Sequence, residues 1–349
     1  MDKYSVPGLS ARYEKLNQKQ DLLVRLNRVI PWETFRPQLN QIHEKVRKSQ
    51  AVLRKPTDVV VLFKMLVLQQ LHNISDEGLE YQVNDRLSFM QFLGFDLMSE
   101  VLDATTVWLF RKHLRDAGLV EGLFEQFDRY LITQGYAAKG GQIVDATLIP
   151  VGVQQNSKEE NAQIKAGEIS ASWAEKPHRQ AQKDGDARWT KKHGKSYFGY
   201  KDHIEIDAEH RLIRRYVVTD ASVWDGQVLG QLLDEDNDAD TIWGDSAYRS
   251  VLIEAVLDLM GFESEINERA YRNRPLTAVQ IEHNREKSRI RTRVEHVFGA
   301  WIMGMGGKFL RTVGLANAKV QLGLKNLTYN LMRFTWLETR AVKSDAIAA

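Results

Sequence analysis

The sequence predicts a mixed α/β domain preceded by an all-α N-terminal domain. Three observations carry that expectation. Residues 1–135 read as short amphipathic helices in series, with capping signals between them. The texture changes at KGGQIVDATLIPV (139–151), where two glycines introduce a β-branched run. Beyond it, strand-like and helix-like segments alternate, as in a sheet flanked by helices.

The N-terminal elements follow from periodicity and punctuation. LSARYEKLNQKQDLLVRLNRVI has apolar residues at helical spacing and stops at Pro31. PWETFRPQLNQIHEKVRK, ending at Lys48, carries Trp32, Phe35, Leu39, Ile42 and Val46 on one face. After Pro56, Thr57–Asp58 can cap VVVLFKMLVLQQLHN. ISDEGLEYQVNDRLSFMQFLGFD gives two short helices, with a cap signal at Ser75–Asp76 and a turn at Asn84–Asp85. DATTVWLFRKHLRDAGL and VEGLFEQFDRYLITQGY follow as two more helices. Short helices in series, with Arg86 at a turn, suit a helix-turn-helix-type DNA-binding module. They suit equally a plain bundle used for packing or oligomerisation.

In the C-terminal part, IVDATLIPV is the first strand. A polar, basic and poorly periodic stretch at about 152–196 reads as an insertion or mobile loop. YFGYKDHIEID (197–207) and RLIRRYVVTD (211–220) read as two strands joined by AEH. VWDGQVLGQLLDE (223–235) reads as a helix, and TIWGDSAY (241–248) as a short strand ending at Gly–Asp. SVLIEAVLDLMG (250–261) is a helix, FESEI (262–266) a strand, and a long helix starts near Ile281 and runs through Glu295. The expected domains are residues 1–138 (helical), 139–335 (mixed α/β, with the basic insertion) and a tail at 336–349.

Composition narrows the function classes. With 349 residues, 43% of them hydrophobic, the chain can build sizeable cores in two domains. It has no cysteine, which excludes disulfides and thiolate-held metal sites. The N-terminus is charged early, unlike a signal peptide, and VVVLFKMLVL (59–68) is too short to span a bilayer. A soluble intracellular protein, with no membrane association, is the expectation. Net charge is only +2, but residues 301–333 carry five bases and no acid. Residues 173–201 hold eight bases against three acids, so local basic paths suited to a nucleic acid exist in a near-neutral chain.

Three acids occupy distinctive places. Asp145 lies within a strand otherwise too apolar to welcome a charge, a costly position unless the carboxylate is paired or bound to a cation. Asp245 stands where the TIWGD strand runs out, a usual position for ligand groups in open α/β sheets. Glu295 sits in RTRVEHVFG on the last long helix, an acid among bases. If the strand of Asp245 lies beside that of Asp145 and the last helix crosses both, the three converge. Three oxygen ligands without a His/Cys cluster suit Mg²⁺ or Mn²⁺ rather than zinc. Two such ions serve in-line phosphoryl displacement. Each acid also has a plainer role open to it: a strand-end acid, a cap or turn, and an i−4 ion pair with Arg291. Asp202, Asp207, Asp220 and Asp225 compete for the same assignment. The histidines form no HExxH pair, and GMGG (304–307) lacks the lysine–serine of a P-loop.

IVDATLIP, YFGYKDHIEID, VVTDASVWD, WGDSAY and IRTRVEHVFG, in this order, resemble insertion sequence five family transposases within the insertion-sequence-four-like group. LHNISDEGLEYQVNDRLSFMQFLGFD followed by DATTVWLFRKHL resembles their N-terminal helical domain, and the likeness spans roughly residues 20–335. The resemblance implies an RNase H-like catalytic domain whose Asp–Asp–Glu triad falls on Asp145, Asp245 and Glu295. It implies Mg²⁺-dependent cleavage at terminal inverted repeats, with two ions expected and Mn²⁺ able to substitute. It further implies strand transfer by the freed 3′-hydroxyl into target double-stranded DNA, and a homodimer on DNA. Around the glutamate, Arg291 matches the group's arginine, Ser288 stands at the tyrosine position and Ile302 at the lysine position, with Lys308 the next lysine. Trp224 stands where the family's VTxAxxHD stretch has histidine. Arg291, Arg293, Lys201, Lys308 and Arg86 are the expected DNA-contacting bases. The rival expectations are a metal-dependent nuclease that cuts without joining, and a non-catalytic DNA-binding repressor.

Overall fold

The computed structural model describes residues 9–46, 57–152, 154–168, 173, 176–192 and 194–348. The chain divides into two compact units, Met1–Arg129 with Leu324–Ala349, and Tyr130–Gly323.

The described part of the first unit is helical: α1 (Leu9–Gln18), α2 (Leu22–Val29), α3 (Arg36–Val46), α4 (Val59–His72), α5 (Asp76–Asp85), α6 (Leu87–Leu93), α7 (Ala104–Ala117) and the greater part of α8 (Leu119–Thr133). The expectation that α3 continues to Lys48 falls partly outside the described residues. Helix α4 is apolar all round, and accordingly it is buried on nearly every face. Asp58 caps its start by accepting from the Val60 amide, and Asn73 ends it in the left-handed region at φ 47°. Phe63 of α4 packs with Trp32 and Phe35, and Phe35 continues through Phe127 to Phe334. Arg111 of α7 grips both carboxylate oxygens of Asp76 at 2.8 and 2.7 Å and also donates to Gln69. This bidentate pair satisfies charges that are largely withdrawn from solvent.

The second unit is built on a six-stranded sheet. Its strands are β1 (Gln142–Pro150), β2 (Arg188–Lys192), β3 (Lys195–Asp207), β4 (Ile213–Asp220), β5 (Thr241–Gly244) and β6 (Glu263–Ile266). β3 is antiparallel to β1, and its other edge pairs with β4 and β2. β1, β5 and β6 are parallel. The sheet is thus mixed, as the order of strand and helix signals led us to expect, and β1 is central in it. Its helices are α9 (Lys158–Lys165), α10 (Pro177–Gln180), α11 (Leu229–Leu232), α12 (Val251–Leu259) and α13 (Ala278–Met303). α14 (Leu315–Ala348) begins in this unit and continues into the first.

Val144, Ile242 and Ile266 from the parallel strands pack with Leu229, Leu232, Tyr248 and Leu257 to form one core. Val294, Val297 and Trp301 of α13 are also buried. Thr277 and Gln280 form a capping box that starts α13, so the helix begins three residues before the expected Ile281.

Two local expectations are corrected. Residues 223–235 form a 3₁₀ turn at Asp225–Val228 and the single turn of α11, not one helix. Of the two readings of the stretch at about 152–196, the described residues support an insertion and not a mobile loop: they contain α9, α10 and β2. It folds on buried polar groups. Glu160 accepts from Lys183 at 2.9 Å and from the Trp173 indole at 2.7 Å, and all three side chains are buried. Burial alone would raise the Glu160 carboxyl, but hydrogen bonds from Lys183, the Ser157 amide and Trp173 outweigh it and hold it at about 2. Asp184 accepts from the Tyr200 hydroxyl of β3 at 2.7 Å and from the Gly314 amide at 3.1 Å.

Candidate active site

Strand register brings the first two acids together. In the parallel pair of β1 and β5, Ile143 lies opposite Trp243. Two residues further along each strand stand Asp145 and Asp245, at the carboxyl end of β5 where backbone pairing stops. Neighbouring strands are about 4.8 Å apart, so the side chains fall within each other's field. Burial, with the Asp245 charge beside it, pushes the Asp145 carboxyl up to about 6 against the opposing pull of Arg291. Asp145 also accepts from the Ala146 amide at 2.8 Å. Asp245 accepts from the Ala247 amide at 2.7 Å, and so closes the turn Ser246–Tyr248. Helix α12 is capped separately, by Ser250.

The third acid is tied to the first through an arginine. Arg291 and Glu295 are one helical turn apart on α13, and a guanidinium nitrogen of Arg291 lies 3.2 Å from Glu295. The other terminal nitrogen lies 3.1 Å from Asp145. The i,i+4 ion pair open to Glu295 is therefore made, and the same arginine bridges to the strand carboxylate. The Glu295 side chain is 56% exposed, against 14% for Asp145. The buried Arg291 Nε has no hydrogen-bond partner.

The donor chemistry fits a hard divalent cation: carboxylate oxygens, two of them on adjacent strands, with Asp145 destabilised as an anion by burial and by its neighbour. Among the described residues no three His, Asp or Glu side chains are yet spaced to hold a metal ion. Arg291 is the cation between Asp145 and Glu295.

The expected DNA-contacting bases are distributed unevenly. Lys308 donates to Thr147 at 2.7 Å, two residues beyond Asp145 on β1, and burial, then the Lys192 charge, lowers its pKa. Lys201 is drawn inward instead, donating to the Val223 carbonyl and to Asp225 at 2.7 and 2.8 Å. Arg293 donates to the Ala208 carbonyl at 2.8 Å, at the turn after β3. Arg86, in the first unit, stacks over Phe89 and donates to Gln82.

Three of the four competing acids have the following structural partners. Asp207 is buried against Arg214 and the His210 and Leu212 amides, Asp220 holds Ser222, and Asp225 pairs with Lys201. Tyr248 was not singled out from sequence. Its hydroxyl is buried without a hydrogen-bond partner, and burial, then the charges of Asp145, Asp225 and Asp245, raises its pKa. A tyrosine three residues after a strand-end aspartate was the available signal.

The second unit thus combines a mixed sheet, two carboxylates on adjacent strands and a third acid on a helix packed against them. Residues 136–331, more than half of the chain, match the family of the transposase DDE domain. Residues 11–113 match a second family described as a transposase domain (DUF772). The chain belongs to the DDE-domain transposases. Among solved structures it is similar to a piggyBac transposase synaptic complex with hairpin DNA, at 12% identity and a TM-score of 0.47. That match covers 93% of this chain and 76% of the other. No helix among the described residues is long and apolar enough to cross a membrane.

Proposed function

We propose that this transposase is a member of the insertion sequence five family, that its second unit is an RNase H-like catalytic domain, and that Asp145, Asp245 and Glu295 are its catalytic triad. It binds the terminal inverted repeats of its element, hydrolyses the phosphodiester at each end and joins the freed 3′-hydroxyl to target DNA. The observation that carries this is the parallel register setting Asp145 beside Asp245, with Glu295 linked to Asp145 through Arg291. The strand arrangement supports the fold assignment: β1 antiparallel to β3 on one side and parallel to β5 on the other.

Asp145 and Asp245 would hold Mg²⁺ or Mn²⁺, two ions in the full site, with Glu295 as the further ligand. A bound divalent ion supplies Lewis acidity toward the phosphodiester and lowers the pKa of water. Arg291, freed from its carboxylates, neutralises a DNA phosphate beside the triad. Lys308, next to Thr147, faces the same strand of DNA and stands in for the lysine that Ile302 replaces. The helical domain, residues 1–138, recognises the ends, and two protomers pair them on DNA. Residues 139–335 and the tail at 336–349 complete the division.

The test is incubation with Mg²⁺ and labelled duplex carrying the element's ends and flanking DNA. Cuts at the ends and joined products are expected. Cuts without joining would leave a nuclease, and binding without cuts a repressor.

A further inference from the structure

A third polar side chain stands in the row begun by Asp145 and Asp245. In the parallel pair of β5 and β6, Gly244 lies opposite Ile266, and pairing runs one residue further: the Asn267 amide donates to the Gly244 carbonyl at 3.1 Å. Asn267 is therefore set beside Asp245 as Asp245 is set beside Asp145, one strand spacing of about 4.8 Å on. Side chains alternate along each strand, so Val144 and Ile266 enter the core on one side of the sheet, and Asp145 and Asn267 face α13 on the other. Their contacts agree. Asp145 meets Arg291 at 3.1 Å, and Asn267 meets Ser288, one helical turn earlier on α13, at 3.2 Å.

The Asn267 carboxamide is only half used. Its Nδ2 donates to the Ser288 hydroxyl, whereas its Oδ1 is withdrawn from solvent and accepts no hydrogen bond from any described residue. A carbonyl oxygen left so is costly, and the cost is lifted when a cation or a donor is brought to it. The backbone that follows is fixed independently of Ser288. The Glu268 amide donates to Asn284 Oδ1 at 2.7 Å, and Asn284 Nδ2 donates back to the Glu268 carbonyl at 3.0 Å, so the chain after β6 is pinned to α13.

Carboxamide oxygens are ordinary ligands of hard divalent ions, and an octahedral ion needs more oxygens than a pair of carboxylates supplies. A neutral oxygen also adds coordination without adding to the repulsion between Asp145 and Asp245. We propose that Asn267 is a further ligand of the metal site, its Oδ1 joining the oxygen shell of the divalent ion at Asp245 while Ser288 holds the other end of the carboxamide. This assignment rests on Asp145 and Asp245 holding the ion, as proposed above.

The test is Mn²⁺ binding to the full-length protein without DNA, read by electron paramagnetic resonance, with thermal melting in the absence of metal as the check on folding. Asp245→Asn should lose Mn²⁺ binding. Asn267→Ala should weaken it at least about ten-fold, which is what removing even an outer partner of a metal site costs. Asn267→Asp keeps the oxygen, adds a charge and should bind Mn²⁺ more tightly than wild type. Ser288→Ala removes the hydroxyl but keeps Oδ1, and should stay within a few-fold of wild type. Wild-type affinity in Asn267→Ala, no gain in Asn267→Asp, or an equal loss in Ser288→Ala and Asn267→Ala overturns the assignment. The aspartate variant decides the matter even if the alanine variant fails to fold. Equal Mn²⁺ binding by wild type and Asp245→Asn overturns the carboxylate metal site itself.

Discussion

The Arg291 guanidinium lies 3.1 Å from the Asp145 carboxylate, reaching from α13 across to the central strand, and holds Glu295 with its other arm. One arginine thus neutralises the half-buried Asp145 and positions the exposed Glu295. Burying a carboxylate beside another is costly unless a cation compensates. Arg291→Ala removes that compensation. The Asp145 carboxyl should then titrate above its present value of about 6, since Arg291 is the main group pulling it down. Carboxyl-carbon NMR titration of wild type and variant reads the shift. An unchanged titration would mean that Arg291 does not share the field of Asp145.

Lys308 is predicted to be a phosphate-contacting base. Lys308→Ala should weaken duplex binding and lower the salt dependence of log K by about one. Lys201→Ala should leave that slope unchanged, because its ammonium is committed to Val223 and Asp225. Filter binding across a salt series separates the two. Equal slopes for all three proteins would remove Lys308 from the DNA path.

The Glu160–Lys183 pair makes the insertion a folded element with its own pH signature. Lys183→Met leaves the buried Glu160 with only the half-exposed Arg179 at 3.7 Å as a cation and should cost about 3 kcal/mol of stability, locally or globally. Glu160→Leu combined with Lys183→Met should recover most of it. The Glu160 carboxyl is held at about 2, below its ordinary 4.5. Its contribution is therefore fully present above about pH 4.5 and is lost as pH falls toward 2. Denaturation of wild type and the double variant at several pH values tests this. Parallel pH profiles would contradict it.

How much was legible follows from what kind of burial each element uses. IVDATLIP and TIWGD announced strands through apolar runs broken by a single acid, but their parallel pairing was not readable; α13 was legible as a long helix running through Glu295. The insertion was illegible because its core is polar. Glu160, Lys183 and Asp184 are all buried, and no hydrophobic period marks them. β2, RWTKK, reads as a basic surface stretch although it pairs with β3. Arg293 shows the limit of adjacency in sequence. Two residues along a helix turn the side chain by about 200°, so it leaves the face that Arg291 and Glu295 share. It meets the Ala208 carbonyl instead. Lys201 likewise reads as a surface base, but only the partner 24 residues on, Asp225, reveals that it is held inward.

The central claim is that Asp145, Asp245 and Glu295 act together on the phosphodiester. The most direct measurement is the rate of cleavage, with Mg²⁺, of labelled duplex carrying the element's ends. Wild type is compared with Asp145→Asn, Asp245→Asn and Glu295→Gln, and binding is measured in parallel. Each substitution should slow cleavage by at least about a hundred-fold, since each removes charge stabilisation worth several kcal/mol, while duplex affinity stays within a few-fold of wild type. Cleavage at the wild-type rate in any of the three, or lost binding with residual cutting, would contradict the account.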